Sequence, residues 1–142
     1  MRNTYRAAML ERINRGVAWL DSLDKDFWDG YAAWSERDRD EILDVHWLDL
    51  DLKYLNLRIA TTCVLGHAGG NYNDVVNFAN MNYKSASYRG FLLDANDYGR
   101  AKEFTPAHYS MFTELWVDKI TQLRVERREA DCRKVVDRKS VV

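Results

Sequence analysis

Apolar side chains recur along much of this chain at spacings of three and four. Tyr5, Met9, Ile13, Val17 and Leu20 form one such stripe, which predicts an amphipathic helix from about Asn3 to Leu23. Arg2, Arg6, Arg12 and Arg15 fall mostly off it. Phe27, Trp28, Tyr31 and Trp34 continue the spacing, so a further helical turn or two should carry these rings toward the core. The clearest element is the last. Thr105-Pro106 places a capping side chain before a proline at the first helical position. Tyr109, Phe112, Trp116, Ile120 and Leu123 then repeat every three or four residues. That helix should reach at least Arg127.

Between these segments the pattern changes. Ser35 and Asp38 are spaced to cap a short helix, although Asp serves the third position less well than Glu. Leu48, Leu50 and Leu52 alternate with Asp49 and Asp51. Period two would suit a strand, but Leu and Asp are poor strand formers. The expectation is an extended segment laying its leucines on the core. Thr61 or Thr62 is placed to cap one or two helical turns over Cys63 to His67, and Asn73 to cap a short helix carrying Val75 and Phe78. Gly66, Gly69 and Gly70 should end the first of these and permit a tight turn. Gly90 sits where a helix C-terminal glycine belongs. Phe91 to Leu93 reads as a strand or a plug, and Asp94 to Gly99 as a loop.

The chain has 142 residues, one proline and seven glycines. Sandwiches and barrels need turn residues every 8–12 positions, so the expected fold is mainly α. We expect a compact single domain over 1–142, with long N- and C-terminal helices packed together and at most a minor β element. Residues 1–127 would form the globular core and 128–142 a basic C-terminal tail. At 46% hydrophobic and 30% charged, the composition excludes a disordered chain or a disulfide scaffold. No apolar run reaches the ~18 residues of a membrane span, and the N-terminal stretch lacks a signal-like apolar core. A cytoplasmic location without a membrane partner is therefore expected. Cys63 and Cys132 are expected as reduced thiols.

The net charge of −1 hides a polarised chain. Residues 21–51 hold eleven acids against three bases, while the other segments are net basic. Such a block repels phosphates, so nucleic acid is an unlikely partner. It suits a basic patch on a protein partner, and Asp38, Asp40, Glu41 and Asp44 are the candidate contact surface. The same polarity would allow self-assembly, acidic block against basic termini, in a homo-oligomer.

Candidate chemistry is sparse. Cys63 and His67, four apart, would share a helix face, and a cysteine at a helix N-terminus can have a lowered pKa. They are the only candidates for a small Cys/His-dependent enzyme. Zinc needs three or four ligands, and His46, His108 and Cys132 lack ligand spacing to this pair, so no metal or cofactor is expected. LGHAGG matches neither phosphate-cradling glycine motif. Asp49 and Asp51 show no sign of the cleft that paired catalytic carboxylates require.

One stretch carries a resemblance. Asp49-Leu50-Asp51, Leu55-Asn56-Leu57, Cys63-Val64-Leu65-Gly66-His67 and Gly70-x-Tyr72 resemble a segment of small proteins of actinobacterial phages and their hosts. Ala86-x-x-x-Gly90-Phe91 and Trp116 resemble elements further along those proteins. The tight match covers about 25 residues, and residues 29–46 look like an insertion. The resemblance implies a small accessory protein of phage or actinobacterial origin, and it carries over no catalytic residue. The functional expectation is a non-enzymatic accessory protein that binds a host or phage protein through an acidic and aromatic surface. A virion-associated self-assembling subunit and the Cys/His enzyme are the alternatives.

Overall fold

The computed structural model describes residues 5–38 and 47–140. Six α-helices lie among them: α1 (Arg6–Ser22), α2 (Lys25–Ser35), α3 (Val64–Gly69), α4 (Tyr72–Phe78), α5 (Tyr83–Tyr88) and α6 (Pro106–Ser140). Single 3₁₀ turns occupy Trp47–Asp49 and Leu52–Tyr54, and no strand occurs among the described residues. The mainly helical expectation holds, and α1 packs along α6 as anticipated.

The stripe on α1 behaves as its spacing predicts. Met9, Ile13 and Leu20 are buried, with Tyr5 and Val17 packed at the edge of the core. Trp116 is the largest fully buried side chain among the described residues. Its side chain is fully buried, its ring stacks on Phe91 at 6.0 Å, and its indole N–H donates to the Gly90 carbonyl at 2.7 Å. A buried indole needs such an acceptor. Phe91 and Leu93 are thus a plug in the core and not a strand.

The crossing of α1 over the end of α5 depends on two glycines. A Cβ on Gly16 would stand 2.1 Å from the Arg89 carbonyl oxygen. Gly90 has φ +73°, and a Cβ there would meet the Ile13 nitrogen at 2.7 Å. Gly90 ends α5 in the left-handed conformation that glycine adopts without penalty.

Arg12 ties the same corner together. Its Nε donates to Asp97 Oδ2 at 2.8 Å, its NH2 to the Asp97 carbonyl at 3.1 Å, and its guanidinium lies 3.9 Å from the centre of the Tyr98 ring. Ser87 Oγ donates to the same carboxylate at 2.9 Å and accepts from the Asp94 amide. The 94–99 segment is the expected loop, and this carboxylate fixes it to α1 and α5. Such satisfied, largely buried networks hold one arrangement because each partner left alone would be costly.

Four local expectations need correction. Ser35 does not start a helix but ends α2, where its hydroxyl turns back to the Ala32 carbonyl and Glu36 takes φ 59°. The cap of α2 is Asp24, which accepts from the Phe27 amide at 3.0 Å. The cap of α3 is Cys63, not Thr61 or Thr62, with Sγ accepting from the Gly66 amide at 3.4 Å. Gly66 lies inside α3, close to the Ala60 carbonyl, and Gly70 ends the helix. Asn71, not Asn73, caps α4: its side chain accepts from the Asn73 amide at 2.8 Å.

The leucine segment buries Leu48 and Leu50 while Asp49 and Asp51 stay exposed, without pairing as a strand. Arg124 of α6 replaces the missing ladder. Its Nε donates to the Leu48 carbonyl at 2.6 Å and its NH2 to the Leu50 carbonyl. The start of α6 follows the Thr-Pro signal. Thr105 Oγ1 accepts from the His108 amide, and the imidazole Nδ1 accepts in turn from the Thr105 amide at 3.1 Å. This is a capping box with histidine in the place of glutamate. Desolvation, then the charge of Arg100, holds the His108 pKa below its usual value, which keeps that nitrogen available as an acceptor.

Candidate functional site

Of the four acids expected to form a contact surface, Asp38 is exposed just beyond the end of α2. Asp40, Glu41 and Asp44 lie outside the described residues. Many neighbouring acids have internal work. Asp24 caps α2, and Asp51 accepts from the Lys53 amide. Asp21 accepts from the Trp47 indole at 2.9 Å, and Asp49 pairs with Arg127 at 2.8 Å. The Asp49–Arg127 pair therefore joins one acid of this block to the final helix. Asp49 and Asp51 thus each have a separate partner.

The aromatic part of the expected surface divides between core and exterior. Tyr31 is fully buried, and its hydroxyl donates to the Gly69 carbonyl. Phe27 and Trp28 are half-buried in a run of edge-to-face contacts that joins Trp19, Phe27, Phe78 and Tyr31. Trp34 stands out at 51% exposure. Its ring rests on Phe78, with centroids 5.5 Å apart, and lies 6.4 Å from Tyr31. Helical geometry puts Asp26, Gly30 and Ala33 on the same side as Trp34, and all four are exposed. Just below, Arg37 Nη2 donates to Asp74 Oδ2 at 2.8 Å and fixes the end of α2 to α4. The result is an outward tryptophan packed on Phe78 and Tyr31, on a helix whose exposed residues include Asp26.

Cys63 caps the start of α3 and His67 lies in its last turn, and the geometry does not make them a dyad. The thiol accepts from the Gly66 amide and points its own proton toward the Ala60 carbonyl at 3.7 Å. The His67 Nδ1 lies 3.1 Å from the Cys63 carbonyl oxygen, not from the sulfur. Cys63 is 2% exposed, and desolvation pushes its pKa up to about 11. A nucleophilic thiol needs the opposite shift. Sequence reasoning placed this cysteine near a helix start but assigned the cap to a threonine. Among the described residues, no three His, Cys, Asp or Glu side chains gather as a metal site would require. The Arg12–Asp97–Ser87 cluster was not anticipated, since no local pattern relates residues 85 positions apart. No helix among the described residues is long and apolar enough to cross a membrane.

The chain matches no protein-family model, no curated protein and no solved structure.

Proposed function

We propose that this is a binding protein whose contact surface is the exposed face of α2 with the acids that follow it, and whose partner is a protein bearing a basic and apolar patch. The observation that carries this reading is Trp34. Half of its surface is open, yet Phe78 and Tyr31 hold the ring in place. A pre-positioned tryptophan loses little entropy on binding and is the residue type most often found at the energetic centre of an interface. Asp26 and Asp38, both exposed, supply the charge that would steer a basic partner. The resemblance to accessory proteins of actinobacterial phages supports a partner of phage or host origin, met in the cytoplasm.

The test is selective loss of one captured protein. The intact chain is used as bait in actinobacterial lysate, beside Trp34→Ala and a variant with Asp38, Asp40, Glu41 and Asp44 all changed to Lys. Tyr83→Ala, which removes an exposed aromatic from another element, serves as control. One protein should be retained by the chain and by Tyr83→Ala, and lost or weakened roughly ten-fold or more in both other variants, as for a hot-spot residue. Equal capture by all four would refute this surface. A self-assembling subunit is the second reading, favoured by the exposed Val135 on the outer part of α6.

A further inference from the structure

Between residues 57–63, the start of α4 and the first turns of α6 lies an open-mouthed hollow of about 150 Å³. Its lining is mixed, with Leu57, Ala60, Cys63 and Phe91 among the apolar residues. A cavity of this volume lined by apolar side chains is about large enough for a benzene ring. Four polar residues line the same space: Arg58, Tyr72, Asn73 and Tyr109.

The Tyr109 hydroxyl donates to the Leu93 carbonyl at 3.4 Å, so its hydrogen is engaged. Tyr72 differs. Its side chain is nine-tenths buried, and no hydrogen bond joins its hydroxyl to any described residue. The hydroxyl keeps some accessible surface, since it is not among the fully enclosed unpaired atoms. A buried phenol of this kind usually has a partner, and Tyr72 borders both this hollow and one of about 240 Å³ along α4. Arg58 stands at the mouth. It is exposed, and its guanidinium makes no ion pair or hydrogen bond with the described residues. The Tyr109 phenol feels the charge of Glu103 first, then those of Arg58 and Asp94. Arg58 also borders a second, larger hollow of about 370 Å³ beside Pro106 and Thr113, so a bound molecule could extend past it.

We propose that this hollow is a binding site for a small monocarboxylate with a compact apolar body, such as an arylacetate. The body would fill the space over Phe91 and Cys63, and the carboxylate would accept from Arg58 and from the Tyr72 hydroxyl. Each half of the ligand answers one half of the site. An apolar molecule alone would leave the phenol unpaired, and a bare anion such as acetate would leave the floor unfilled. The site is distinct from the α2 face, and neither requires the other.

Phenylacetate is the probe, titrated into the full chain and followed by calorimetry and by NMR shifts of the Phe91 and Tyr109 rings. Phenylacetamide, which has the same body without the charge, and acetate are run beside it. Phenylacetate should bind saturably and shift those rings. Phenylacetamide, acetate and Arg58→Gln should each weaken the interaction about ten-fold, as the loss of a charge-assisted hydrogen bond or of the apolar body implies. Tyr72→Phe keeps the ring that packs in the core and should weaken binding several-fold. Arg58 is exposed, so its variant should fold normally, as unchanged thermal melting would verify. Equal binding of phenylacetate and phenylacetamide, undiminished binding by Arg58→Gln, or no ring shifts at about 10 mM phenylacetate, ten times a Kd of about 1 mM, would each overturn the proposal.

Discussion

Cys63 shows how a single side chain can be committed by its surroundings. As a helix cap it gives α3 a hydrogen-bond acceptor, and as a small buried group it fills the core. Free cysteine commonly behaves as a compact apolar residue, and the raised pKa follows from that burial. The consequence for stability has a definite sign. The unfolded chain loses the thiol proton near pH 9, while the folded chain holds it until about 11. The thiol's contribution is therefore complete below pH 9 and is lost as pH rises from 9 toward 11. Two pKa units correspond to on the order of 2–3 kcal/mol. Urea unfolding at pH 8, 9, 10 and 11 should show the fall. The slope should be shallower in Cys63→Ala, with a remainder from the buried tyrosines, which shift in the same direction. An identical slope in both proteins would contradict the burial of the thiol. At pH 8, Cys132, which is exposed, should be the only thiol that reacts rapidly with a disulfide reagent.

At the scale of elements, much was legible where periodicity and punctuation agree. The α1 stripe, the Thr105-Pro106 start and the Gly90 stop each rest on local physics that the sequence carries within one helical turn. The capping errors arose where several candidates stand side by side. Asn71 and Asn73 are equally good caps, and the choice falls to Asn71 because a helix from Tyr72 buries Tyr72, Val75 and Val76 together. The leucine alternation correctly gave the buried side chains but not what satisfies the backbone, because the donor is Arg124, 74 and 76 positions away. The aromatic segment was readable as helical, yet only the packing of Phe78 shows that Trp34 is the ring left outside. Gly16 is the sharpest case of tertiary contact overriding local preference. In an isolated helix Gly→Ala stabilises by about 1 kcal/mol. Here the new methyl would strike the Arg89 carbonyl, and neither backbone can move without disturbing Trp116 and its bond to Gly90. Gly16→Ala should therefore destabilise the fold by about 1–3 kcal/mol, the cost typical of overpacking, as measured by urea denaturation. Any gain in stability would mean that α1 does not cross α5 this closely.

On the scale of the whole molecule, α6 does two different things along its length. Phe112, Leu115, Trp116 and Ile120 are buried against the rest of the fold. Arg124 then holds the leucine segment, and Arg127 pairs with Asp49 at the surface. Beyond Arg128 the side chains described through residue 135 are exposed, apart from a half-exposed Ala130. The expected basic tail is thus a helical extension, about 18 Å long over the twelve residues 129–140 at 1.5 Å per residue. A helix of that length is marginal in water by itself, so its order depends on growing out of the anchored part. Charge within the chain follows the same division. Arg124 donates to two backbone carbonyls and Arg127 pairs with one acid of the 21–51 block, while Arg128, Arg133 and Lys134 remain at the surface. Ending the chain after Arg128 should then leave core stability within about 0.5 kcal/mol of the full chain, as for other surface changes, while circular dichroism loses about twelve residues of helix. The same truncation separates the two functional readings. If binding runs through Trp34 and the acids after α2, partner capture survives it. If the protein works by self-assembly through the outer part of α6, sedimentation of the full chain at high concentration should show a larger species that disappears on truncation, and the Trp34→Ala variant should sediment like the full chain.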